Sequence, residues 1–180
     1  MASFNRGSFN GKAAAVYYVS PTQLNVLAPA DSLSGTVQVV VKNANGTSES
    51  TAVQTQSVLP GFFRLAQEYV VATNAVGGYV GPTNLVDGLL TIPAKPLETI
   101  VLWGTGFGPT NLAGSTGELQ TTPTIRFGNR QAQVSYAGVT AAGLCQFNVV
   151  VPDVANGDYP VVASVGGVRT SSAARIRVQR

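Results

Sequence analysis

The sequence predicts two tandem all-β sandwich domains of immunoglobulin-like size, and three observations carry that expectation. One motif set occurs twice. Phe9-Asn10-Gly11-Lys12, Val16, Tyr18, Gln23-Leu24-Asn25-Val26 and Pro29 return as Phe127-Gly128-Asn129-Arg130, Val134, Tyr136, Gln146-Phe147-Asn148-Val149 and Pro152. Self-similarity over such a distance is the mark of one supersecondary unit used twice. Apolar and polar residues alternate with the period of a strand, and no stretch keeps a helical period with caps. Finally, 20 Gly and 10 Pro among 180 residues punctuate the chain at short intervals, as many tight turns require. The expected division is a first domain over 1–59 and a second over 60–180, each near the roughly 100 residues of an immunoglobulin-like sandwich or below it.

Taken in order, the first strand is Ala13–Tyr18. In Gln23-Leu24-Asn25-Val26, Leu24 and Val26 point inward while Gln23 and Asn25 point out. Thr36–Lys42 places Val37, Val39 and Val41 on one face, and Asn43-Ala44-Asn45-Gly46 closes a hairpin. Ser50–Gln56 follows, and Leu59-Pro60-Gly61 breaks the pattern as the inter-domain joint. Phe62–Leu65 and Tyr69–Thr73 precede an irregular connection over 74–98, which is either a functional loop or a meander packed along the second domain. Thr99–Trp103, Thr124–Phe127 and Ala132–Tyr136 come next. Phe147 and Val149 repeat the inward pair, and Tyr159, Val161, Ala163 and Val165 face in before the Gly166-Gly167 turn. Ala173–Val178 ends the series. The copies are unequal. A strand precedes Phe127, but only eight residues precede Phe9, so the first domain starts without an opening strand. Residues beyond this sequence, residues 60–98 or a neighbouring chain are the three sources for it.

Catalytic chemistry finds little material. With no histidine, Ser-His-Asp and Cys-His catalysis and His-bearing zinc sites are excluded. The lone Cys145 sits in an apolar strand and reads as a buried, inert thiol. The acids (Asp31, Glu49, Glu68, Asp87, Glu98, Glu118, Asp153, Asp158) form no calcium-loop pattern and lie near turns, which argues against a glycosidase pair. Lys12, Lys42 and Lys95 could each start a Lys–Asn isopeptide bond, but nothing fixes a triad. Gly104-Thr105-Gly106-Phe107-Gly108-Pro109 lacks the dinucleotide fingerprint and reads as an inter-strand turn. No cofactor is expected. No apolar run is long enough to span a membrane, so no membrane insertion is expected. Charged residues are 11% and net charge is +3. The basic cluster Arg169, Arg175, Arg177 and Arg180 reads as charge guarding a solvated edge strand. Among the aromatics (Tyr17-Tyr18, Phe62-Phe63, Tyr69, Tyr79, Trp103) most serve packing. Neighbours on a strand face opposite ways, so Tyr17 and Phe62 or Phe63 are the candidates for ligand or partner contact.

Leu102-Trp103-Gly104-Thr105-Gly106-Phe107-Gly108-Pro109, Phe127-Gly128-Asn129 and Gln146–Pro152 together resemble an IPT/TIG-type immunoglobulin-like domain. Tyr18–Val26, Pro60-Gly61-Phe62-Phe63 and Pro93-Ala94-Lys95-Pro96 resemble the Solibacter-type C-terminal domain family of predicted secreted acidobacterial proteins. The resemblance implies tandem immunoglobulin-like units in larger exported proteins. That family carries no established activity, so no residue role transfers. The expectation is a non-enzymatic, extracellular or cell-surface structural, adhesion or assembly module. The alternative is a carbohydrate-binding module using surface aromatics. The expected partners are a second copy at the open strand edge, another surface protein, or a glycan. Nucleic acid is the weaker reading, since IPT/TIG domains also occur in transcription factors, and it would act through Arg175 and Arg177.

Overall fold

The computed structural model describes residues 6–29, 35–66, 68–111 and 116–180. Its regular elements are strands throughout, arranged in several sheets as an all-β sandwich fold. The chain divides into two compact units, Met1–Ser57 and Val58–Arg180.

The first unit contains β1 (Arg6–Phe9), β2 (Lys12–Ala13), β3 (Ala15–Val19), β4 (Leu24–Leu27), β5 (Gly35–Asn43), β6 (Gly46–Thr47) and β7 (Thr51–Thr55). The second contains β8 (Gly61–Phe62), β9 (Arg64–Leu65), β10 (Tyr69–Val70), β11 (Ala72–Asn74), β12 (Tyr79–Val80), β13 (Thr91–Ile92), β14 (Thr99–Thr105) and β15 (Gly117–Glu118). It continues with β16 (Thr124–Phe127), β17 (Arg130–Gln131), β18 (Gln133–Ala141), β19 (Leu144–Val150), β20 (Gly157–Val165), β21 (Val168–Arg169) and β22 (Arg175–Val178).

The repeated motifs produce repeated pairing. In the first unit β2-β1-β5 is one sheet, with β6 and β7 on the far side of β5; in the second, β17-β16-β20 carries β21 and β22 in the same way. Phe9 faces Val39 as Phe127 faces Val161, and Val37 faces Val53 as Tyr159 faces Ile176. The β3–β4 ribbon matches β18–β19 down to its irregularity. Both pairs shift register by one residue, between Val16 and Tyr18 and between Val134 and Tyr136. Tyr17 and Ser135 are therefore the extra residues of equivalent β-bulges. The bulge breaks the alternation that put Tyr17 and Tyr18 on opposite faces, and both side chains are exposed.

The second unit closes around one core. Ile100, Leu102, Phe147 and Val149 of the eight-stranded sheet meet Ile125, Phe127, Val161, Ala163, Ile176 and Val178 of the seven-stranded one. Phe62 is half-buried and packs against this core. Its ring lies 5.5 Å from Phe107 and 5.9 Å from Phe147, while Phe107 and Phe147 stand 4.4 Å apart. The register explains its placement: Phe62 faces Gly104, an inward position of β14. As a surface contact Phe62 is therefore corrected, because the alternation that exposes Phe63 turns Phe62 inward.

Residues 74–98 form a packed meander. β11 and β12 join the eight-stranded sheet, and the Ala94 amide donates to the Arg177 carbonyl while its own carbonyl accepts from Gln179. The basic strand β22 is not an edge either. It lies between β20 and β10, so its arginines guard no free strand.

Among the described residues the first unit shows no counterpart of β14. β19 pairs with β14 on one side and β18 on the other, whereas β4 pairs with β3 alone among the described residues. The described strands within residues 60–98 pair inside the second unit. Val37 is the single fully buried apolar side chain of the first unit among those described.

Candidate functional site

The strongest surface constellation is the outer face of the eight-stranded sheet. It follows from alternation. With Ile100, Leu102, Phe147 and Val149 committed to the core, Val101, Trp103, Gln146 and Asn148 point the other way. Residues directly opposite across strands share a face. One row runs Tyr79, Thr73, Val101, Asn148, Tyr136 across β12, β11, β14, β19 and β18. At about 4.8 Å per strand it spans roughly 19 Å. The next row runs Glu118, Gly138, Gln146, Trp103. Phe63 extends it, since its amide donates to the Trp103 carbonyl one step beyond the Phe62–Gly104 pair.

Polar contacts hold these side chains in place. The Trp103 indole N–H donates to Thr73 Oγ1 at 3.3 Å, and Gln146 Nε2 donates to Asn148 Oδ1 at 2.9 Å. A Cβ on Gly138 would stand 2.2 Å from Tyr136 Oη, so this glycine's missing side chain is what lets the phenol lie along the sheet. Phe63 and Tyr79 are 39% and 38% exposed, and Trp103 and Tyr136 are half-buried. Glu118, at the end of its row, is the one ionisable carboxylate of the two rows. The result is a flat surface of rings and amides. Rings offer apolar faces for stacking, and amides offer both donors and acceptors.

The first unit repeats part of this pattern. Tyr18 stands opposite Asn25, and Gln23 Nε2 donates to Asn25 Oδ1 at 2.6 Å. Of the residues singled out from sequence, Phe63 lies on the outer face of the eight-stranded sheet, Phe62 lies beneath it, and Tyr17 lies on the first unit, 62% exposed. The exposure of Tyr17 belongs to the bulge itself, because its counterpart Ser135 is also exposed within the closed unit.

Other surfaces offer less. A groove of about 440 Å³ is lined by Phe127, Gly128, Asn129, Arg130, Asp153, Val154, Ala155 and Tyr159. Its carboxylate, Asp153, is engaged by Arg180, and the Tyr159 hydroxyl donates to the Ala155 carbonyl at 2.8 Å. The arginine cluster is partly neutralised: Arg177 Nη1 lies 2.9 Å from Asp158 Oδ2, with Tyr69 donating to the other oxygen. Partial burial, then Asp158, pushes the Tyr69 phenol up. Gly104 and Gly106 serve packing, since a Cβ on either would collide with the carbonyl of Gly61 or Leu59. Among the described residues no three His, Cys, Asp or Glu side chains cluster as metal ligands; Asp31 lies outside those residues. No helix there is long and apolar enough to cross a membrane.

Burial pushes the Cys145 thiol up, against a weaker opposing effect from the Phe107 backbone. The thiolate is the reactive form. Cys145 is therefore expected to resist Ellman's reagent in the native protein and to react at once in denaturant; rapid native labelling would contradict this placement.

No family model matches the chain. Over 151 residues, 84% of this chain, it is 26% identical to a cyclomaltodextrin glucanotransferase of Bacillus sp. (strain 6.6.3), and it spans 18% of that protein. Among solved structures, the SGBP-B protein of the Bacteroides ovatus mixed-linkage glucan utilization locus, in complex with a mixed-linkage heptasaccharide, aligns at 17% identity with a TM-score of 0.37. That alignment covers 99% of this chain and 38% of the other. The chain thus spans less than half the length of either protein.

Proposed function

We propose that this chain is a non-catalytic glycan-binding module of an extracellular or cell-surface protein, with the outer face of its eight-stranded sheet as the contact surface. The observation that carries the reading is the pair of cross-strand rows: Phe63 beside Trp103 and Gln146, and Tyr79 in line with Asn148 and Tyr136. A sugar ring has an apolar C–H face and a rim of hydroxyls. Flat aromatic rings take the first, and side-chain amides exchange hydrogen bonds with the second. A surface without deep walls suits a polymer lying across it. The match to part of a cyclomaltodextrin glucanotransferase supports a carbohydrate context. That enzyme's activity is not carried over, because the matched region is a small part of it. The absence of histidine fits a binding role but does not by itself define one.

The test is affinity electrophoresis in gels containing soluble α- or β-glucans, together with retention on insoluble polysaccharide. Trp103 is the one tryptophan, so its fluorescence reports on the site directly. Binding should shift that emission. Trp103→Ala should weaken retention tenfold or more, about 1.4 kcal/mol or above, while Tyr17→Ala leaves it unchanged. Indifference to every glucan, or undiminished binding by the Trp103 variant, would refute the assignment. Loss on Tyr17→Ala alone would move the site to the first unit.

A further inference from the structure

The two units agree on an outward trio of side chains more closely than on their interiors. In the second unit Tyr136 stands opposite Asn148, with Gln146 on the same face of the strand; in the first, Tyr18 stands opposite Asn25, with Gln23 on the same face. Each tyrosine follows the extra residue of an equivalent bulge. Each glutamine donates from Nε2 to the asparagine Oδ1, at 2.9 Å in the second unit and 2.6 Å in the first. Facing inward, by contrast, Leu24 stands for Phe147 and Val37 for Tyr159. Burial restricts the inward residues of a strand, whereas solvent-facing ones can change at little cost to stability. Cross-strand pairing is no stricter, since many side-chain pairs serve it equally. An identical outward trio over a changed interior therefore has a cause other than packing.

We infer that the outer face of the β3–β4 ribbon is a second glycan contact, built from Tyr18, Gln23 and Asn25, and that it takes a neutral oligosaccharide. The inference rests on the glycan reading of the second unit. Tyr18 is 50% exposed, so its ring can meet the C–H face of a sugar. The bond between the amides fixes their polarity: Gln23 Oε1 is left to accept and Asn25 Nδ2 to donate. Sugar hydroxyls do both. The turn ahead of β4 holds Gln23 in place, since its amide donates to Ser20 Oγ at 2.9 Å and its carbonyl accepts from the Ser20 amide at 2.8 Å.

The charge pattern sets the ligand class. Neither strand of the ribbon, nor the turn between them, carries a charged residue. An acidic glycan would lose hydration here without gaining a cation, whereas a neutral one loses little. Tyr17 stands outside the trio, because its counterpart is Ser135, which offers no ring. The second unit adds Tyr79 and Trp103 from β12 and β14, so its face is the tighter of the two.

The probes are cellohexaose and, separately, maltohexaose, titrated into the isotope-labelled full chain. Trp103 emission reads the second unit, and the side-chain amide resonances of Gln23 and Asn25 read the first. Both should respond, the amide resonances at higher sugar concentration, with calorimetry giving more than one sugar per chain. Tyr18→Ala should abolish the Asn25 response and leave the emission change intact. Trp103→Ala should do the reverse, sparing the Asn25 response. A hexasaccharide of galacturonic acid should move neither amide. The decisive titration is on the unaltered chain, so a folding defect cannot imitate it. An emission change with still amide resonances and one sugar per chain would overturn this inference and leave the second-unit site standing. An Asn25 response that survives Tyr18→Ala would overturn it too. Silence of both probes would refute the two readings together.

Discussion

Phe147→Ala is expected to destabilise the second unit by about 3–5 kcal/mol, the usual loss for truncating a buried aromatic. The same truncation at its repeat counterpart, Leu24→Ala, should lower the stability of the first unit by only about 1–2 kcal/mol, since a half-exposed side chain surrenders less transfer energy and leaves no sealed cavity. The reason lies in their surroundings. Phe147 is fully buried, edge-on to Phe62 and tilted against Phe107, with β14 and β18 on either side. Leu24 occupies the same place in the repeat but has β3 alone beside it among the described residues. Denaturant unfolding followed by Trp103 fluorescence reads the second unit, and hydrogen exchange of the β4 amides reads the first. Leu24→Ala should leave the Trp103 transition where it was. Equal losses at the two positions would mean that the first unit possesses a closed interior.

Much of this architecture could be read from residues. The inward pairs Leu24/Val26 and Phe147/Val149, and the series from Tyr159 to Val165, follow from strand alternation, because one buried face selects apolar residues at every second position. The limits are equally physical. Tyr17 and Tyr18 were expected on opposite faces, but a bulge adds one residue and overrides the alternation, and nothing in Val-Tyr-Tyr-Val announces it. β22 was expected at an edge from its arginines, yet edge position depends on which strands arrive from elsewhere, here β10. Phe62 and Phe63 show how far parity reaches. It says that one of them faces out, and only the pairing with Gly104 says which.

The outer face of the eight-stranded sheet was harder to foresee. Trp103 and Tyr79 were recognisable as ring candidates, but Gln146 and Asn148 looked like ordinary outward residues of a strand. What joins them is cross-strand register, and register is set by long-range pairing that one sequence does not display. A usable trace existed. The Gln-x-Asn pair and the tyrosine opposite its asparagine occur in both repeats, and both copies make the same amide hydrogen bond.

Gly106→Ala should cost the second unit about 2–4 kcal/mol, combining left-handed backbone strain with an overlap that cannot relax cheaply. Gly106 has φ near 75°, and a Cβ there would stand 2.1 Å from the Leu59 carbonyl oxygen. The Leu59 amide donates to the Gly106 carbonyl at 2.9 Å, so the segment ahead of β8 is held against this residue. Pushing it away would loosen the pairing of Gly61 and Phe62 with β14 and draw the Phe62 ring off Phe107. Gly166→Ala is the matched control, with φ near 56° and nothing within 4 Å of the added Cβ. It should carry the backbone strain alone, about 1 kcal/mol. The difference between the two variants in Trp103-monitored unfolding isolates the steric contact. Phe63 continues from that same segment onto the outer face, so the Gly106 variant should also bind glucan less tightly, whereas the Gly166 variant should not. Equal destabilisation by the two substitutions would show that the Leu59 contact yields, and that the glycine is required for its backbone angle only.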